Sequence, residues 1–204
     1  MITILLATVA FAAAAALGLA AARGVCGSID DSLPGGPPPG AVPQRVLVIG
    51  AAVLGAIAAY RGLPLAGMAI VGLACGLLTA IWASDVRRGI IPDVFTIVPL
   101  GAILLAAALA GHWEVCAAAV VPAVPFAFLA WRSGGLGLGW GDVKLAMLGG
   151  PLIGMQYALM AFAVGCLAAV VVARVRKTSH QPIAFAPYLV SAIALPLALV
   201  IPAL

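Results

Sequence analysis

Charge is what this sequence has least of. Aspartate, glutamate, lysine and arginine make up 8% of 204 residues, against about 25% in an ordinary soluble domain, and mean hydropathy is +1.26. A water-soluble globular domain is excluded. Familiar hydrolytic machinery is missing too: there is no HExxH, no GxSxG and no Ser/His/Asp set, and the only histidines, His112 and His180, fall in loops between apolar runs. The four cysteines (Cys26, Cys75, Cys116 and Cys166) form no CxxC pair, so neither a zinc knuckle nor a disulfide framework is expected. The net charge of +4 and pI near 9.2 do not imply a nucleic-acid partner. The basic residues lie in short loops between apolar runs, where they set membrane orientation.

What is present is long apolar sequence. Hydrophobic residues are 65% of the chain, and with about 20 residues needed to cross a bilayer the candidate segments are 2–22, 46–60, 64–84, 93–111, 113–131, 142–152, 154–173 and 183–203. The expected fold class is all-α, a polytopic transmembrane helix bundle of about eight segments with the N-terminus outside. The first run lacks the basic start of a signal peptide and is long enough to span, so it is read as a retained helix. Gly149-Gly150-Pro151 should end or kink the 142–152 segment. Residues 1–62 are read as two membrane segments joined by the Pro/Gly-rich connector 23–44, and residues 63–204 as a six-segment core. With the N-terminus outside, Arg23, Arg45, Arg87, Arg88, Arg132, Lys144, Arg174, Arg176 and Lys177 all fall on the cytoplasmic side and only Arg61 outside, as the positive-inside rule requires.

Only six acids occur: Asp30, Asp31, Asp85, Asp93, Glu114 and Asp142. An acid within a membrane segment is a functional candidate by default. Asp85 closes an apolar run in Ser84-Asp85-Val86-Arg87-Arg88-Gly89-Ile90-Ile91-Pro92; it is either catalytic or paired with Arg87 or Arg88 at headgroup level. Asp93 reads as a first-turn acid favoured by the helix dipole. Asp142 lies in Gly139-Trp140-Gly141-Asp142-Val143-Lys144-Leu145. Its glycines permit unusual backbone angles or close approach of another chain, while the plain alternative is a helix cap paired with Lys144. Two carboxylates brought together share a proton, which supplies an acid and a base to one site. Such a pair can activate water and protonate a leaving amine.

The acid before Ile91-Pro92, then Gly139-x-Gly141-Asp142-x-Lys144-Leu145, resembles the prepilin peptidase family of GxGD intramembrane aspartyl proteases. The two aspartates stand 57 positions apart, with two apolar segments between, and Phe185-Ala186-Pro187 is similar to the family's Phe-Gly-Pro. The resemblance implies Asp85 and Asp142 as catalytic pair, with Gly139, Gly141 and Lys144 supporting the motif. It also implies leader cleavage from type IV pilin-like precursors at the cytoplasmic membrane face, with no metal or organic cofactor. Arg87 and Arg88 are expected to meet membrane lipid phosphates. Larger family members carry a paired-CxxC domain associated with N-methylation where this chain has only the 23–44 connector, so a reduced, peptidase-only form is implied. A non-enzymatic scaffold or small transporter with two pathway acids is the alternative from another class. The presenilin-like alternative lacks its Tyr-Asp and Pro-Ala-Leu patterns.

Overall fold

A computed structural model describes residues 1–28, 44–134, 138–175 and 185–200. Among the described residues every regular element is helical. In chain order these are α1 (Ile2–Ser28), α2 (Gln44–Tyr60), α3 (Leu65–Arg88), α4 (Asp93–Ala110), α5 (Glu114–Val120), a 3-10 turn (Val121–Ala123), α6 (Val124–Arg132), α7 (Trp140–Ile153), α8 (Met155–Val175) and α9 (Ala186–Val200). Among the described residues five helical stretches are long and apolar enough to cross a membrane: Ile2–Cys26, Leu65–Arg88, Asp93–Ala110, Glu114–Arg132 and Met155–Val175. Gln44–Tyr60 and Ala186–Leu199 are apolar but shorter. In lipid a helix is the element that satisfies every backbone group within one segment, which is why so apolar a chain folds this way. The four cysteines are free thiols. Most of the connector, with Asp30 and Asp31, and also Gly137, Arg176, Lys177 and His180, lie outside the described residues.

Two compact units emerge, Met1–Ile90 with Ala194–Leu204, and Ile91–Ile193. In the first, α1 packs on α2 and α3 through small residues. Ala7, Phe11, Ala15, Leu19, Ala22 and Cys26 are buried at helical spacing along one face, while Ile2, Leu5, Leu6, Val9 and Leu17 are exposed. Side chains are small where the helices meet: a Cβ on Gly18 would run into the Gly76 carbonyl oxygen, and one on Gly55 would stand 2.7 Å from the Phe11 ring. Apolar burial drives little association inside lipid, so close backbone approach supplies the dispersion contacts. Arg23 Nη2 donates to Gln44 Oε1 at 2.5 Å and ties α1 to α2.

In the second unit α7 is central, with Leu145, Ala146 and Leu148 at 0% exposure and neighbours on α4, α5, α6 and α8. Gly149-Gly150-Pro151 was expected to end or kink the segment, and the helix does end just beyond it, with both glycines and Pro151 still inside. The helix runs on to Ile153, and the Gly154 N–H still donates to the Gly150 carbonyl at 2.8 Å. The glycines serve packing. A Cβ on Gly150 would collide with the Ala118 carbonyl of α5, and one on Gly149 would stand 2.6 Å from Ile193 Cδ1 and 2.9 Å from Phe162 Cζ. Phe126 of α6 meets Phe162 of α8 edge to face, centroids 5.5 Å apart at 87°. Pro122 and Pro125 each remove a backbone donor, and the 113–131 run accordingly tightens into the 3-10 turn between α5 and α6.

Candidate active site

Among the described residues the buried polar or charged side chains are Thr79, Ser84, Asp85, Thr96 and Asp142. The hydroxyls of Thr79 and Ser84 donate to carbonyls of their own helix, Cys75 at 2.7 Å and Ile81 at 2.9 Å. The buried charges are thus the two aspartates singled out from sequence, at 7% and 8% exposure. A carboxylate withdrawn from water is costly unless the surroundings give it hydrogen bonds or a proton.

Asp85 belongs to the first unit. It was expected to close the third segment, but α3 continues one turn further, to Arg88, and ends on Gly89 in the left-handed conformation at φ 63°. The Gly89 N–H donates to the Asp85 carbonyl at 2.7 Å. Arg87 and Arg88 occupy the last turn, where cations suit the helix dipole, so the helix does not stop where apolar sequence stops.

Asp142 belongs to the second unit, in the first turn of α7, which starts at Trp140 rather than at the expected 142. Its Oδ2 accepts the Gly139 N–H at 3.2 Å, and its own N–H donates to the Gly139 carbonyl at 3.1 Å. The capping role considered for Asp142 is therefore real. It holds the carboxylate in one orientation at the end of a helix where negative charge is favoured. The unusual backbone angles considered for the glycines are absent. Gly139 is extended, at φ −76° and ψ 151°, and Gly141 is helical. Gly141 matters for space, because a Cβ there would lie 3.1 Å from Ile91 Cβ and 3.3 Å from Ile91 Cδ1. At Gly139 the nearest atom to a new Cβ would be Asp142 Oδ2, at an ordinary 3.6 Å.

Lys144 is salt-bridged to Asp93 of α4, Nζ to Oδ1 at 2.6 Å. Sequence reading gave Asp93 as a first-turn acid, which it is, and missed this partner. Pro92 is the N-cap residue of α4, at φ −64°, with Asp93 the first residue inside. Thr96, one turn further along α4, was also missed; it is wholly buried and its hydroxyl has no hydrogen-bond partner among the described residues. His112 sits exposed in the turn before α5 and pairs with Glu114 at 2.9 Å, in keeping with a surface loop position.

Apolar helices of spanning length make this a multi-pass membrane protein, and two of its buried side chains are carboxylates. Residues 72–174, about half of the chain, match the type IV leader peptidase family, and the chain belongs to that family. Membership makes it an aspartic-type peptidase of the leader-peptidase kind, with prepilin-like proteins as its general substrate class. The match includes Asp85, Gly139, Gly141, Asp142 and Lys144 and stops before Phe185. No curated protein and no solved structure matches the chain.

Proposed function

We propose that Asp85 and Asp142 are the catalytic pair of a leader peptidase that cuts type IV prepilin-like precursors where their basic leader meets the apolar helix. The site faces the cytoplasm at the inner (cytoplasmic) membrane. The observation that carries this reading is that both family-matched aspartates are buried, each at a helix end. The basic residues favour the orientation: Arg87, Arg88, Arg132 and Lys144 flank those same helix ends.

In the proposed reaction Asp142 is the base, since it lies in the first turn of α7, where negative charge is favoured and the Gly139 N–H stabilises it. It takes a proton from water as the oxygen attacks the scissile carbonyl carbon, giving a tetrahedral intermediate that carries one hydroxyl and one oxyanion. Asp85, the other carboxyl of the pair, gives its proton to the amide nitrogen as the C–N bond breaks. The products are a leader carboxylic acid and a mature chain with a free amine, and the pair is reset by one proton exchange.

The test is cleavage of a prepilin by Asp85→Asn and Asp142→Asn variants, each checked for normal membrane insertion. Both should lose activity by at least about a thousandfold, at the upper part of the range for acid–base groups. Full activity of either would sink the pair. With the scissile amide replaced by an ester, whose leaving group needs little protonation, Asp85→Asn should retain more turnover than Asp142→Asn. The reverse order would exchange the two roles.

A further inference from the structure

Three residues of one short segment hold the turn that carries Asp142. Ile91 fills the space in front of Gly141, leaving 3.1 Å between Ile91 Cβ and the position of an added Cβ. Asp93 holds Lys144 at 2.6 Å across 51 positions of sequence. Between them Pro92 has its φ fixed by its own ring, at −64°. The segment therefore grips α7 on both sides of Asp142, one residue before it and two after, and the stiff residue stands between the two grips. Inside this frame the Gly139 N–H orients the carboxylate itself.

We propose that the Asp93–Lys144 ion pair, with the Ile91–Gly141 contact beside it, is a clasp that sets the position of Asp142. Lys144 and Asp93 are positioning residues in this account. The proposal rests on Asp142 being catalytic, as argued above. The pair is too exposed to matter much to global stability, with side-chain accessibilities of 34% for Lys144 and 59% for Asp93. Its value lies in geometry: a displacement of about 1 Å at a reacting group can lower a rate roughly a hundredfold. Two long-range constraints on one helical turn remove that freedom.

The experiment uses the purified full chain in detergent micelles, with Lys144→Met, Asp93→Asn, the double variant and Lys144→Arg. Hydrogen exchange over the peptide 139–148 reads the clasp without reference to activity. Each single neutralisation should speed exchange there several-fold and leave α8 unchanged. With a prepilin substrate, kcat should fall roughly ten- to a hundredfold while KM stays within about twofold. Lys144→Arg should restore most of it, and the double variant should be no worse than the poorer single. A purely structural role would lower the melting temperature and leave kcat per folded molecule and local exchange at wild-type values. Unchanged exchange in both singles, faster exchange with wild-type kcat, or a double variant losing the product of the two single effects would each overturn the proposal. Failure of the proposed function looks different, since Asp142→Asn would then still cleave, and the exchange measurement alone would decide the clasp.

Discussion

A glycine can matter for the angle it adopts or for the room it leaves, and Gly141 is of the second kind. Adding one methyl there asks Ile91 to give by a few tenths of an ångström, because three of its atoms stand between 3.1 and 3.3 Å from the new carbon. Gly141→Ala should therefore lower cleavage about tenfold and Gly141→Val about a hundredfold or more, though neither carboxylate is touched. Gly139→Ala should remain near wild-type, since its new carbon would meet nothing closer than 3.6 Å. Turnover at matched membrane expression decides this. Equal losses at the two glycines would show that Ile91 is not the obstacle, and Ile91→Val should recover part of the activity of Gly141→Ala. The aspartates were legible in sequence because a buried charge stands out in apolar sequence. The role of Gly141 was not, because the atom that confines it lies 50 residues away in the chain. The partner of Lys144 was hidden for the same reason. Nothing local in Ile91-Pro92-Asp93 distinguishes an acid that meets lipid headgroups from one that reaches another helix.

At the scale of elements, helix existence was readable and helix ends were less so. Apolar windows end where charge begins, whereas hydrogen bonding ends where a residue can leave the helix. For α3 that residue is Gly89, after two arginines that suit the dipole. For α7 the stop at Gly149-Gly150-Pro151 was read nearly in place, since the helix ends at Ile153, but the packing of the two glycines against Ala118 and Ile193 was not legible. A direct consequence is that Gly150→Ala should be severe. The added carbon would collide with the Ala118 backbone carbonyl, and backbone cannot step aside as a flexible side chain can. The helices α5 and α7 must then separate, at a cost of about 1–3 kcal/mol or more. Gly101→Ala in α4 is the control, since its carbon would meet nothing within 4 Å, and replacing a helix-interior glycine should be neutral or stabilise by about 0.5–1 kcal/mol. Thermal unfolding of both in the same detergent checks the contrast. A Gly150→Ala protein as stable as the parent would remove close backbone approach as the reason for the glycine.

At the scale of the whole molecule, charge and aromatic residues bear jointly on its orientation in the bilayer. The span Glu114–Arg132 is bracketed by exposed tryptophans, Trp113 at 67% and Trp131 at 71%, as expected where amphipathic rings settle at the two membrane–water interfaces. At the Trp131 end stand Arg132 and, further along the sequence, Trp140 and Lys144; at the Trp113 end stand His112 and Glu114, hydrogen-bonded to each other at 2.9 Å. Counted as Lys and Arg alone, two stand at the Trp131 end and none at the Trp113 end, and the positive-inside rule therefore predicts Arg132 on the cytoplasmic side. In a variant with its native cysteines replaced, a cysteine introduced at Ser133 should resist a membrane-impermeant maleimide in intact cells and react once the membrane is opened. One introduced at His112 should react from outside without permeabilisation. The two positions flank a single span, so they must give opposite answers whichever way it faces. The reverse pattern would place the first turn of α7, and Asp142 with it, on the outer face, where the leaders of prepilin-like precursors are not presented for cleavage in the proposed reaction.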